Sequence, residues 1–171
     1  VMLYPYSYDL TWVTPRMPDY VVMPETVEQI QNILRLANRE RIPVIPYTSG
    51  TNIGGLCIPE EGGIILDLKR MNKILEVNPE VQYVVIEPGV THAQLSAELK
   101  KHGFEAGWGV HPASASHMAM TLNHGIGHLN GRFGINSQFI SSMEVVLPTG
   151  EIAKIGSCAY SNSWHSLMPL P

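Results

Sequence analysis

Residues 46–55, PYTSGTNIGG, follow the apolar run Ile42-Pro43-Val44-Ile45. Thr48, Ser49, Gly50, Thr51 and Asn52 offer consecutive backbone N–H groups and three hydroxyls. Glycine tolerates positive φ and lets the backbone approach a ligand closely. A nest of that kind holds a pyrophosphate without a side-chain cation. The lysine of a nucleotide-hydrolysing loop is absent. The glycine spacing is not that of the nicotinamide dinucleotide fingerprint, and no helix is expected directly after it. A tight surface turn between strands has the same composition. The loop alone therefore leaves both readings open.

A second segment weighs against the plain turn. Residues 111–134, HPASASHMAMTLNHGIGHLNGRFG, are also small, glycine-rich and nearly uncharged. One domain with two such loops is suited to wrapping something long and flat. A flavin dinucleotide fits, with its pyrophosphate on the first loop and its isoalloxazine near the second.

Other side chains suggest rival chemistry. His111, His117, His124 and His128 raise a metal site, and His124 and His128 have the i, i+4 spacing of many zinc pairs. Gly125 and Gly127 lie between those two and weaken any helix there. No cysteine or carboxylate stands nearby, and a closed zinc site takes four ligands. No metal is expected. The histidines are read as bonding to backbone or lining a flavin pocket, and neither His124 nor His128 is assigned catalysis. Cys57 has no charge beside it before Glu60. A reactive thiol needs an electropositive setting, so Cys57 is read as a small buried apolar residue. Trp108 and Trp164 could stack on a ring, although isolated aromatics are more often core. Lys69, Arg70 and Lys73 read as a solvated basic surface.

The elements that must position these loops follow from periodicity and caps. VVMPETVEQIQNILRLANRERIP reads as strand, cap, helix, stop. Thr26 and Gln29 have capping-box spacing, and Val27, Ile30, Ile33, Leu34 and Ala37 share one helical face. Val44 to Tyr47 is a short strand leading into the first loop. GGIILDL is a strand of the kind buried on both faces, and YVVIEPG is a third. THAQLSAELKKHG is the next helix, with Thr91 and Gln94 in capping-box spacing and Gly103 at the terminating position. SMEVVLPTGEIAKIG makes two strands around Pro148-Thr149-Gly150-Glu151. Strand and helix alternate early and hairpins come late, so the fold class is α+β with a small α/β half first. Asn78-Pro79 breaks regular structure and marks the expected subdomain boundary.

The bulk numbers agree with a folded domain. The chain has 171 residues, 44% hydrophobic and 15% charged, which suffices for a core. A net charge of −4 argues against nucleic acid or an anionic membrane as partner. Cys57 and Cys158 form neither a metal-type pair nor a disulfide framework, which suggests a reducing compartment. No apolar run is long enough to span a bilayer. No signal peptide is visible, and the chain opens at Val1 rather than Met, which suggests a missing N-terminal piece. The expected location is cytoplasmic, or periplasmic if a signal has been removed.

Taken in order, the segments PETVEQIQNILRLANRERIPV, SGTNIGG, DLKRMNKILEVNPEVQYVVIEPGVTHAQL, TLNHGIGH and SSMEVVLPTGE resemble the flavin domain of the vanillyl alcohol oxidase and p-cresol methylhydroxylase family. The likeness runs from about Val21 past Pro148. MNKILEVNPE with VVIEPGVT is specific for the superfamily and is similar also to its D-lactate and glycolate dehydrogenases. TLNHGIGH with SSMEVVLPTGE leans toward the alkylphenol-oxidising branch.

The resemblance implies a PCMH-type FAD-binding domain of two α+β subdomains with FAD between them. Residues 1–20 would be an N-terminal segment, 21–78 the first subdomain and 79–171 an incomplete second one. Tyr47, Thr48, Ser49, Gly50, Thr51, Asn52 and Ile53 would line the FAD pyrophosphate. Pro88 and Gly89 would shape a turn near the adenine or ribitol. Ser116, Thr121 and Gly125 would lie along the flavin with Gly127 close by, and Val145 would offer backbone groups to the adenine. Some relatives link FAD through a histidine in the first loop. This loop has none, so FAD is expected to be non-covalent. The chain ends about where the substrate-cap domain would begin, so catalytic residues are expected beyond Pro171. The implied activity is oxidation of an alkylphenol or aromatic alcohol by hydride transfer to flavin. The alternatives are a 2-hydroxy-acid dehydrogenase and a non-catalytic flavin-binding subunit. The implied partners are a small-molecule substrate, an electron-acceptor protein or a separate cap-domain chain, and further copies in an oligomer.

Overall fold

The structure is a computed structural model that describes residues 3–105, 113–127 and 130–156. Its first unit is a three-stranded parallel sheet in the order β1–β3–β2, with β1 at Tyr20–Val22, β2 at Val44–Tyr47 and β3 at Ile64–Asp67. The middle strand β3 is buried along its whole length. This is why IILD reads as a continuous apolar run rather than an alternating one. Helix α1, Val27–Glu40, crosses between β1 and β2. Its Thr26 hydroxyl accepts from Gln29 N–H, while the Gln29 side chain turns back to Glu25 N–H rather than to Thr26. The expected apolar face is present. Ile30 joins Leu66 and Met71 in a buried cluster, with Val27, Ile33 and Leu34 packed against it.

The second core is separate. Strands β4, Ile74–Asn78, and β5, Tyr83–Ile86, form an antiparallel hairpin. They pack on helix α2, His92–Lys100, through Val90, Leu95 and Leu99. Thr91 and Gln94 close a full capping box at the start of α2. Gly103 takes φ +79° just after the helix.

The expected break at Asn78-Pro79 falls at the turn of this hairpin, whose strands share one ladder and one core with α2. Residues 74–78 thus pack with β5 and α2. Two short helices come next, α3 at His117–Leu122 and α4 at Asn130–Phe133. The last hairpin pairs β6, Ser142–Val146, with β7, Ile152–Gly156. It returns to the first unit: Gly150 O accepts from Gln31 Nε2 at 2.7 Å and Arg35 Nη2 at 3.1 Å. Val146 also packs on the cluster around Ile30.

Candidate cofactor-binding site

The first glycine loop leaves the C-terminal end of β2, beside the end of β3. In parallel sheets that edge is where ligands gather. Gly50 has φ +68°, a region that side chains seldom adopt. A Cβ on Gly50 would also sit 2.6 Å from Tyr47 Cζ. The tyrosine ring thus occupies the space that any other residue at position 50 would need. Among the described residues, the backbone N–H groups of Ser49, Gly50, Thr51, Asn52 and Ile53 have no acceptor. Unpaired donors in a glycine turn are what an anion nest requires.

Tyr47 itself is held by neighbours. Its ring meets Tyr6 edge-on at 4.9 Å, and Lys69 Nζ lies 5.3 and 5.4 Å from the two ring centroids. Lys69 Nζ is also 3.0 Å from the fully buried Asp67. Asp67 accepts further from Tyr6 Oη at 2.7 Å and Lys69 N–H at 3.0 Å. Burial, and then the bond to Asp67, push the Tyr6 phenol up to about 12. Burial raises Tyr47 too, although Lys69 opposes it. Lys69 was expected in a solvated basic surface. It turns inward instead, because a buried carboxylate needs a counter-charge. Arg70 does stay exposed, paired with Glu25 at 2.8 Å.

Three predicted segments meet at Ser116. Its backbone N–H donates to Ser49 Oγ at 2.9 Å, and its hydroxyl donates to Pro88 O at 2.7 Å. The same oxygen caps α3 by accepting from Ala119 N–H at 3.1 Å. Thr91 and Ser116 also form an isolated antiparallel bridge. Gly89 is pressed against the first unit: a Cβ there would lie 2.6 Å from Leu68 O and 2.7 Å from Met71 O. The Pro88-Gly89 turn is thus a close approach of two backbones.

The remaining predicted residues divide. Thr121 is buried and its hydroxyl donates to His117 O at 2.7 Å, so that side chain is already satisfied. Gly125 N–H donates to Met120 O at 2.8 Å, and a Cβ there would meet Met120 Cγ at 2.6 Å. Gly127 N–H donates to Asn130 Oδ1. Asn52 faces Asp9 rather than the open side of the loop, with Nδ2 to Oδ2 at 3.1 Å. Val145 pairs with Ala153 on the hairpin docked to α1, not at the Ser116 junction.

Sequence reading passed over Asn130, whose Nδ2 is buried with no partner among the described residues. A small amide among glycines gives no periodic signal. It also passed over the pairing of His92 with His117. Their Nδ1 atoms lie 3.2 Å apart and their rings are nearly parallel, at 16°. Burial, and then the neighbouring His92, bring His117 down to about 4, and burial lowers His92 as well. Two neutral rings fit the contact, one donating and one accepting. His124 lies past the end of α3 with φ +53° and meets Ser137 Oγ at 3.1 Å. Among the described residues no three histidine, cysteine or acidic side chains group to hold a metal. Cys57 is a free, half-buried thiol that burial pushes up, the setting of an inert cysteine. His111, His128, Trp108, Trp164 and Cys158 lie outside the described residues.

Known proteins share this fold. The pattern of the family described as FAD binding domain matches residues 18–156. The chain is 33% identical over 157 residues to the glycolate oxidase subunit GlcD of Bacillus subtilis, covering 88% of this chain and 32% of that protein. It is 33% identical over 154 residues to the 4-cresol dehydrogenase [hydroxylating] flavoprotein subunit of Pseudomonas putida, covering 86% and 29%. The crystal structure of p-cresol methylhydroxylase with substrate bound superposes with a TM-score of 0.80 at 31% identity, covering 95% of this chain and 33% of that one. The chain thus spans about a third of the length of these relatives.

Proposed function

The chain belongs to the FAD binding domain family, with FAD as its cofactor, and from that premise we propose that it is the flavin-holding part of an oxidoreductase. Bound FAD supplies a two-electron acceptor for a hydride leaving the substrate. This chain's own residues bind and orient the cofactor. The N–H groups of Ser49 to Ile53 take the pyrophosphate. Ser116 locks that loop to the Pro88-Gly89 turn and to α3. The amide of Asn130 is left to meet a polar group of the cofactor. The cofactor lies between the two units of the fold, which divide before Ile74.

Alkylphenols or aromatic alcohols are the proposed substrates, supported by the superposition on p-cresol methylhydroxylase. A 2-hydroxy acid is the second reading, favoured by the equal identity to the glycolate oxidase subunit. Groups that touch the substrate are proposed to come from a cap domain or a partner chain, because the relatives are about three times longer.

The observation that carries the reading is the row of N–H groups at Ser49–Ile53, unpaired among the described residues, beside the Gly50 turn. Gly50→Val should strain the backbone by about 1–3 kcal/mol and push the pyrophosphate off the nest. Titration of FAD into the apo variant, with circular dichroism as fold control, should show lost binding by a folded chain. Wild-type affinity in Gly50→Val would make the loop only a turn.

A further inference from the structure

Asp9 lies in the N-terminal segment, to which the sequence assigns no chemistry. Among the described residues, its two carboxylate oxygens meet four donors. Oδ2 accepts from Asn52 Nδ2 at 3.1 Å and from Gly55 N–H at 2.8 Å. Oδ1 accepts from Thr11 N–H at 2.8 Å and from the Thr11 hydroxyl. Asn52 passes the restraint on, since its Oδ1 accepts from Gly54 N–H at 3.1 Å. Gly55 has φ +74°, and a Cβ there would lie 2.8 Å from Val13 Cγ2, so the segment and the loop are in direct contact. The segment is itself fixed to the first sheet. Tyr6 is bonded to Asp67 at the end of β3, and Ser7 O accepts from Arg16 N–H at 2.9 Å.

We propose that Asp9 is a positioning residue for the cofactor loop: its carboxylate fixes residues 52–55 so that the N–H groups of Ser49–Ile53 converge on one anion. The proposal rests on the reading of that loop as the pyrophosphate nest. A carboxylate is required because each of its oxygens meets two donors. An asparagine would turn its NH₂ toward donors on one side. Burial alone would raise the Asp9 carboxyl, but the bonds from Thr11, Gly55 and Asn52 outweigh it and hold it below the usual aspartate range. The charge that completes this network is therefore present at neutral pH.

The test uses the 171-residue chain. FAD affinity is titrated for wild type, Asp9→Asn, Asp9→Glu, Asn52→Ala and Gly50→Val. Hydrogen exchange at the Gly55 amide is followed by NMR. Asp9→Asn should weaken FAD about tenfold, the loss expected for hydrogen bonds to a charged group. It should also speed exchange at Gly55, while circular dichroism stays unchanged. Asp9→Glu keeps a charged acceptor within reach of these donors and should retain more of the affinity than Asp9→Asn, which a general loss of stability would not allow. Wild-type FAD affinity in Asp9→Asn, with binding lost in Gly50→Val, overturns the positioning role and leaves the cofactor reading intact. A wild-type chain that binds no FAD overturns both. If Asp9→Asn does not fold, Asn52→Ala decides, since it removes one donor to Asp9 and keeps its own N–H in the loop: weaker FAD binding with faster exchange at Gly55 supports the role, and wild-type values of both end it.

Discussion

At residue scale, the His92–His117 contact makes stability depend on pH. A shared Nδ1–H···Nδ1 bond needs one ring to keep a bare nitrogen, and protonation of both rings replaces the bond with repulsion. His117 titrates at about 4 in the fold against 6.5 ordinarily, so the unfolded chain binds the proton more readily. Stability from this site is complete above about pH 6.5 and is lost as pH falls toward 4. Glu105 opposes the shift of His92, while Lys100 adds to it. The loss for His117 should reach about 3 kcal/mol at pH 4. Urea unfolding of wild type and His117→Leu at pH 7.5 and 5 checks it. Wild type should weaken more steeply than the variant on acidification. Parallel pH profiles would remove the pair as the cause.

At the scale of elements, the caps offer the cleanest test. Thr91 and Gln94 satisfy two N–H groups at the start of α2, and α2 carries the second core through Leu95 and Leu99. Thr91→Ala should cost about 1 kcal/mol, read as a lower urea midpoint with unchanged slope. A midpoint within error of wild type would show that the box is redundant. These caps were legible in the sequence because they are local: donor and acceptor lie three residues apart. The apolar runs of β3 and the face of α1 were legible for the same reason. The first glycine loop was legible as a loop, since positive φ at Gly50 and Gly55 selects glycine; the second segment was read as a loop as well, but it carries α3 and α4, whose short turns give little periodic signal. The contacts that escaped reading are made by distant partners. Tyr6 meets Asp67 across 61 positions and Asp9 meets Gly55 across 46, and no periodicity announces such contacts. Strand β4 escaped because Leu75 and Glu76 point to solvent and its apolar signal is weak. Lys69 escaped because only the fold shows a buried carboxylate beneath it.

For the whole molecule, attachment of the cofactor is the testable property. The first loop contains no histidine, and its described partners are backbone, Ser116 and Asp9. FAD held by this chain should be released by acid precipitation, with yellow colour in the supernatant. Colour retained on the washed, denatured pellet would mean a covalent bond elsewhere in the chain. Among the described residues no helix is long and apolar enough to cross a membrane.

The Ser49–Ser116 bond has a consequence for biosynthesis. The loop and the residue that locks it are 67 positions apart. A ribosome adding about 5–20 residues per second needs roughly 3–13 s to make the intervening chain. During that interval the first sheet can already be paired, because β1, β2 and β3 all precede residue 68. The glycine turn, however, is emerging without its lock. Cofactor supplied to nascent chains stalled before Ser116 should be held more weakly than by chains stalled well after it; equal retention by both would show that the turn holds its cofactor without the lock.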